Sequence, residues 1–146
     1  MSPQFVDLDA DGQLDIVAGT FDGSPHLARG TGTSWRQPEG ILDRTGIRIV
    51  LNAFWNFDTK KWEETQRCDP EGRTPPKGHL TSAVAFDVDG DGDLDLLLGD
   101  HTTGHVYVRA NEGARGNALF GTRNAWLLAD GKPIDVPGTV ATLRLF

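Results

Sequence analysis

The sequence predicts an all-β protein made of short strands and tight turns, and three observations point there. His105-Val-Tyr-Val-Arg109 alternates polar and apolar residues, the period of a strand with one face buried. Glycine is abundant, at 18 of 146 residues, and the hydrophobic share is only 38%, against about 45–50% in ordinary globular chains. No segment carries a helical apolar period with caps, although Lys60–Arg67 has the composition for a single turn.

Taken in order, Phe5-Val6 leads into an Asp-rich segment, after which Leu14, Ile16 and Ala18 alternate with Asp15 and Val17. Further on, Thr81-Ser-Ala-Val-Ala-Phe86 leads into a second such segment, followed by Leu94, Leu96 and Leu98 alternating with Asp95 and Leu97. Past the last Asp of each segment both faces are apolar, the pattern of an inner strand covered on both sides. Gly23–Arg29 and Gly104–Arg109 each read as a tight turn followed by another strand. Asp69–Gly78, with three prolines and two glycines, is expected to be loop.

The two Asp-rich segments are one repeat. Asp-x-Asp-x-Asp-Gly-x-Leu-Asp runs from Asp7 to Asp15 and again from Asp87 to Asp95, an offset of 80. The closing Val140–Phe146 has the character of Thr81–Phe86, so a third loop is expected next. From Asp87 through Phe146 there are 60 residues, which makes the first unit 20 longer. The extra material falls between about Trp35 and Leu80. The expected organisation is a first repeat core over 1–34, an insertion or outer part of the first unit over 35–80, and a second repeat over 81–146.

Asp at positions 1, 3, 5 and 9 of a tight loop has a chemical reading. Calcium takes about six to eight hard oxygen ligands in flexible geometry. A chain wrapped around the ion can aim alternate side chains inward: Asp7, Asp9, Asp11 and Asp15 in one loop, Asp87, Asp89, Asp91 and Asp95 in the other. The main-chain carbonyl at position 7, Gln13 or Asp93, would complete each shell. Gly12 and Gly92 permit the positive φ of a sharp turn, and Leu14 and Leu94 are expected to anchor the loops in the core. Without a cation these carboxylates repel one another. The EF-hand begins alike but needs a Glu at position 12 between helices. Here position 12 is Ala18 or Leu98, within strands.

Both loops, with their flanking strands, resemble FG-GAP/VCBS-type repeats, the blades of integrin-α-like propellers. The resemblance covers roughly residues 3–33 and 80–146. It implies β-propeller blades: two four-stranded antiparallel blades of an incomplete propeller, with two Ca²⁺ sites and the remaining blades as partners. Gln13 is compatible with the pattern if position 7 contributes only its carbonyl. It further implies an extracellular, cell-surface or periplasmic, non-catalytic segment serving adhesion or binding of a protein or polysaccharide ligand. The alternative is an accessory or catalytic part of a secreted polysaccharide-active hydrolase or lyase.

Composition bounds the remaining options. The formal net charge is −7, and nine of the 21 carboxylates lie in the two loops. Adding +4 for two divalent cations to −7 leaves −3, so the acidity reads as cation binding. No basic stripe exists, which argues against nucleic acid, and no apolar run reaches membrane-spanning length. Trp55 and Trp62, with Phe54 and Phe57, are the best candidates for a sugar-stacking surface; Trp35 and Trp126 read more readily as packing. His26, His79, His101 and His105 form no zinc motif. Cys68 has no nearby His, and the spacing of Asp22, Asp58, Glu63 and Glu64 singles out no acid/base pair. The sequence shows no catalytic constellation.

Overall fold

The computed structural model describes residues 3–64, 79–137 and 142–144, and within them every regular element is a β-strand. Strands β1 (Gln4–Val6), β2 (Asp15–Gly19), β3 (Pro25–Ala28) and β4 (Glu39–Gly40) form an antiparallel sheet, side by side in chain order. A separate hairpin follows, β5 (Ala53–Asn56) with β6 (Lys61–Glu64). Strands β7 (Leu80–Phe86), β8 (Asp95–Asp100), β9 (Val106–Arg109) and β10 (Ala125–Trp126) form a second antiparallel meander, and β11 (Leu128–Ala129) pairs with β12 (Lys132–Pro133). None of these sheets closes on itself.

The two four-stranded sheets repeat one another residue by residue at their inner strands. Val6 pairs with Asp15 and Phe86 with Asp95, so each Asp-rich loop joins the first strand of its sheet to the second. Beyond that point the repeat slips. Gly19 pairs with Pro25 whereas Gly99 pairs with Val106, because the β8–β9 turn is one residue longer than the β2–β3 turn. Ala28 therefore faces Ile16 where Arg109 faces Leu96.

One core serves both sheets. Val17 and Leu27 from the first pack with Leu96 and Leu98 from the second, and Ile49 and Leu51 from the connecting stretch join them. Close approach of the sheets depends on Gly19, where a Cβ would lie 2.5 Å from the backbone nitrogen of Ser82. Alongside, the Gln4 side-chain amide bonds both main-chain groups of Ala85, accepting from its N–H at 2.6 Å and donating to its carbonyl at 3.0 Å.

Several expectations need correction. Lys61–Glu64 is a strand, not a helical turn, because Trp62 pairs with Trp55 across the hairpin and the rings pack edge to face. Strand β9 is not half-buried: Val106, Tyr107 and Arg109 are all inside. Leu14 anchors nothing, being 56% exposed; the buried apolar residue of that loop is Leu8 at position 2, while Leu94 does pack against the core. Cys68 and the loop expected at Asp69–Gly78 lie outside the described residues. Of the closing Val140–Phe146, only 142–144 are described. They carry no strand, and the Leu143 N–H donates to the Ser82 hydroxyl at 2.9 Å.

Candidate metal centre

Each Asp-rich loop folds around its own carboxylates. In the first, Asp7 accepts the N–H groups of Asp11 and Gly12, one on each oxygen, both at 3.0 Å. In the second, Asp87 accepts those of Gly90 at 2.7 Å and Gly92 at 3.1 Å. Asp11 and Asp91 each accept the N–H two residues on, from Gln13 and Asp93. These turns need positive φ at position 6, met by Gly12 at 85° and Gly92 at 94°. They also need it at position 4, where Gly90 has φ 83° and Ala10 has φ 56°. The Gly90 of the second loop was the available signal for that second requirement.

The folding brings three carboxylates of each loop together. One oxygen from each of Asp7, Asp9 and Asp11 lies within 4.8 Å of the others, and the same holds for Asp87, Asp89 and Asp91. Position 9 is not among the converging three. Asp15 is buried and accepts the N–H of Leu8 at 3.1 Å and of Gly30 at 2.8 Å. Asp95 is also buried, and accepts the equivalent N–H groups of Val88 at 3.1 Å and Asn111 at 2.7 Å. Each is a clamp tying its loop to the segment after the third strand, with both oxygens already bonded to amides.

At position 7 the loops diverge. The Gln13 side chain turns toward Gly32, whose missing Cβ would meet its Oε1 at 2.9 Å. The Asp93 side chain instead points inward and is only 7% exposed, with Oδ1 buried and without a hydrogen-bond partner. Burial pushes its carboxyl up, and the charges of Asp91, Asp95 and Asp89 push it further. Asp93 lines a cleft of about 300 Å³ between the two loops, with Asp7, Ala10, Asp87, Gly92 and the cationic Arg115 on its walls.

A second divergence was not visible in the sequence. Arg29, directly after β3, reaches back and pairs with Asp9 through Nη1 on Oδ2, with its Nε 4.0 Å from Glu39. The other Asp9 oxygen is buried without a partner. The register places Ala110 where Arg29 stands in the first sheet, so the second loop receives no such cation from that position.

The donor set suits a hard cation: three carboxylate oxygens within 4.8 Å of one another, and a buried oxygen in each loop that lacks a donor.

The other candidates scatter. Asp22 braces the β2–β3 turn, accepting from Thr20 and from the Ser24 N–H and pairing with Arg48 at 3.2 Å. Glu63 accepts from Asn56 and Thr59 within its own hairpin, and the Asn56 side chain accepts the Asp58 N–H. The aromatic residues do converge. The β5–β6 hairpin docks on the β2–β3 turn through the Trp55 N–H and Asp22 carbonyl, and Trp62 stacks edge-on against His79 at 4.7 Å. His79 in turn meets Phe21 at 5.6 Å and His101 at 6.5 Å. Phe21, Phe57 and Trp62 are all exposed.

No match is found among protein-family models, curated proteins or solved structures. No helix among the described residues is long and apolar enough to cross a membrane.

Proposed function

We propose that the chain is a calcium-stabilised pair of β-propeller blades, part of a non-catalytic adhesion or ligand-binding protein that works outside the cytoplasm. The observation that carries this reading is the coincidence of two levels of repetition. Two loops of one Asp pattern join the same strands of two four-stranded meanders, and in both the first three Asp side chains converge. Acidic turns arising independently have no reason to match in strand register and in the position-9 clamp. The contact between the sheets supports this reading too: edge strand β1 meets edge strand β7, where Gln4 bonds Ala85. Two blades do not complete a ring, which takes about four to eight, so the further partners of this reading are more blades.

In this role each ion neutralises a carboxylate cluster and fixes the loop that links two strands. Binding confined to the folded state adds stability by mass action, about 2.7 kcal/mol at a free concentration one hundred times Kd. Loops of modest affinity stay filled at extracellular calcium levels and empty at resting cytosolic ones, which is why the reading places the protein outside the cytoplasm. The test is thermal melting in millimolar CaCl₂ and in chelator. Calcium is expected to raise the Tm by several degrees, and coincident curves would remove the calcium claim.

A second reading, an accessory or catalytic part of a secreted polysaccharide-active enzyme, is favoured by the exposed Phe21–Trp62–His79 cluster, because planar exposed rings stack on sugar faces. Titration with soluble polysaccharides, followed by tryptophan fluorescence, tests it. No change in emission with any of them counts against a glycan ligand.

A further inference from the structure

We propose that the two loops are unequal cation sites: Asp87–Asp95 is the tighter one, with the Asp93 carboxylate as an additional ligand, and in Asp7–Asp15 the Arg29 guanidinium serves as a resident counter-ion. The proposal rests on the calcium reading above and adds to it a division between the sites.

Two independent features carry it. The first is Arg29. Its guanidinium pairs with one oxygen of Asp9, one of the three residues that converge in that loop. A cation entering there meets an oxygen already engaged and a positive charge beside it. Four loop carboxylates with one guanidinium give a formal charge of −4 + 1 = −3. The second loop has five carboxylates and Ala110 at the place of Arg29, hence −5, or −5 + 1 = −4 with Arg115, which lines the cleft beside Asp87 and Asp93. Calcium affinity in oxygen-ligand loops is tuned by the charge count of the ligands, and that count favours the second loop.

The second feature is Asp93. A carboxylate 93% buried, with one oxygen lacking any donor, is costly to keep in a fold unless something positive meets it. It lines the cleft beside Asp87 and Gly92, and the same loop gathers Asp87, Asp89 and Asp91. Asp93 is not among the three that converge, so it would join them as a ligand through the cleft that it shares with Asp87, and a divalent ion there would give the unpartnered oxygen its counter-charge. Gln13, turned toward Gly32, offers nothing comparable to the first loop.

The experiment is calorimetric titration of the whole 146-residue chain with CaCl₂, for the wild type and for Arg29→Gln and Asp93→Asn. Arg29 is 42% exposed and Asp93→Asn is isosteric, and melting in chelator checks that each variant folds. The wild type is expected to show two classes of site separated by roughly tenfold or more in Kd. Arg29→Gln should tighten the weaker class alone, narrowing the gap. Asp93→Asn should weaken the tighter class alone, by roughly tenfold. Two equivalent sites in the wild type overturn the proposal, as does either variant leaving both constants unchanged. Absence of any calcium heat, with no change in melting, overturns the calcium reading itself and is distinguishable from both.

Discussion

At the scale of single residues, the backbone of the two loops makes demands that the side chains meet unequally. Position 4 is left-handed in both, with Gly90 at φ 83° and Ala10 at φ 56°. An L side chain in that region costs about 1–2 kcal/mol, partly offset by the freedom that glycine loses on folding. Ala10→Gly is therefore expected to stabilise the protein by about 0.5 kcal/mol. Gly90→Ala should cost about 1 kcal/mol, and Gly92→Ala, at φ 94°, rather more. No atom lies within 4 Å of a Cβ added at Gly90 or Gly92, so these costs come from the backbone alone. Urea unfolding in chelator measures all three, and a destabilised Ala10→Gly protein would contradict the account. The glycine at position 6 was legible in the sequence from the spacing alone. Position 4 was not, because one of its two occupants is alanine.

Among the elements, a small turn in the connecting stretch supports the buried cation of the second sheet. Asp43 Oδ1 accepts the Thr45 N–H at 2.8 Å, the Thr45 hydroxyl at 2.7 Å and the Ile47 N–H at 3.0 Å. Burial pushes its carboxyl up, but these bonds, together with the charge of Arg109, outweigh burial and hold it below its ordinary value of 3.8. The folded value being the lower one, its contribution is complete above the ordinary value and is lost as the pH falls below it. Asp43→Asn is expected to cost about 1–3 kcal/mol at neutral pH and much less near pH 2. Urea midpoints at the two pH values check this, and an equal loss at both would show that the charge is irrelevant. Arg109 is fully buried, donating to the Asn124 side-chain Oδ1 and to the Gly121 main-chain carbonyl, and burial lowers its pKa to about 10. Asn124 continues to the Val50 carbonyl, so the network joins the second sheet to the connecting stretch.

Arg29 and Arg109 show how far element-level reading reaches. Both end a glycine-led strand and look equivalent in the sequence. A single extra residue in the β8–β9 turn shifts the register, and a shift of one sends a side chain to the opposite face. Arg109 turns into the core, and Arg29 turns to the Asp9 carboxylate. Asp15 and Asp95 illustrate the complementary limit: their presence in the pattern was plain, but a clamp on two amides and a free ligand have the same spacing. Leu14 was expected inside on pattern alone and lies outside, because burial depends on what covers a face as well as on its period.

For the molecule as a whole, the decisive joint is between the two sheets. Gly19 lets β2 lie against β7 with no room for a methyl group, since a Cβ there would sit 2.5–2.7 Å from backbone atoms of Ser82. Backbone cannot yield as a side chain tip can, so Gly19→Ala is expected to cost about 3 kcal/mol, at the high end of overpacking effects. It should speed unfolding more than it slows folding, because each meander zips locally and the docking of distant segments belongs late. Stopped-flow rates decide this, and a large fall in the folding rate would place the joint in the nucleus instead.

Gln4 bears on the same joint in another way. Strand β7 lies at the margin of its sheet, and a marginal strand presents a row of main-chain donors and acceptors that any passing extended chain can extend. At Ala85 that row is interrupted, because one side-chain amide supplies both the acceptor and the donor that an added strand would bring. The contact that aligns the two sheets is thus also a local guard against edge-to-edge self-association, built from a single glutamine.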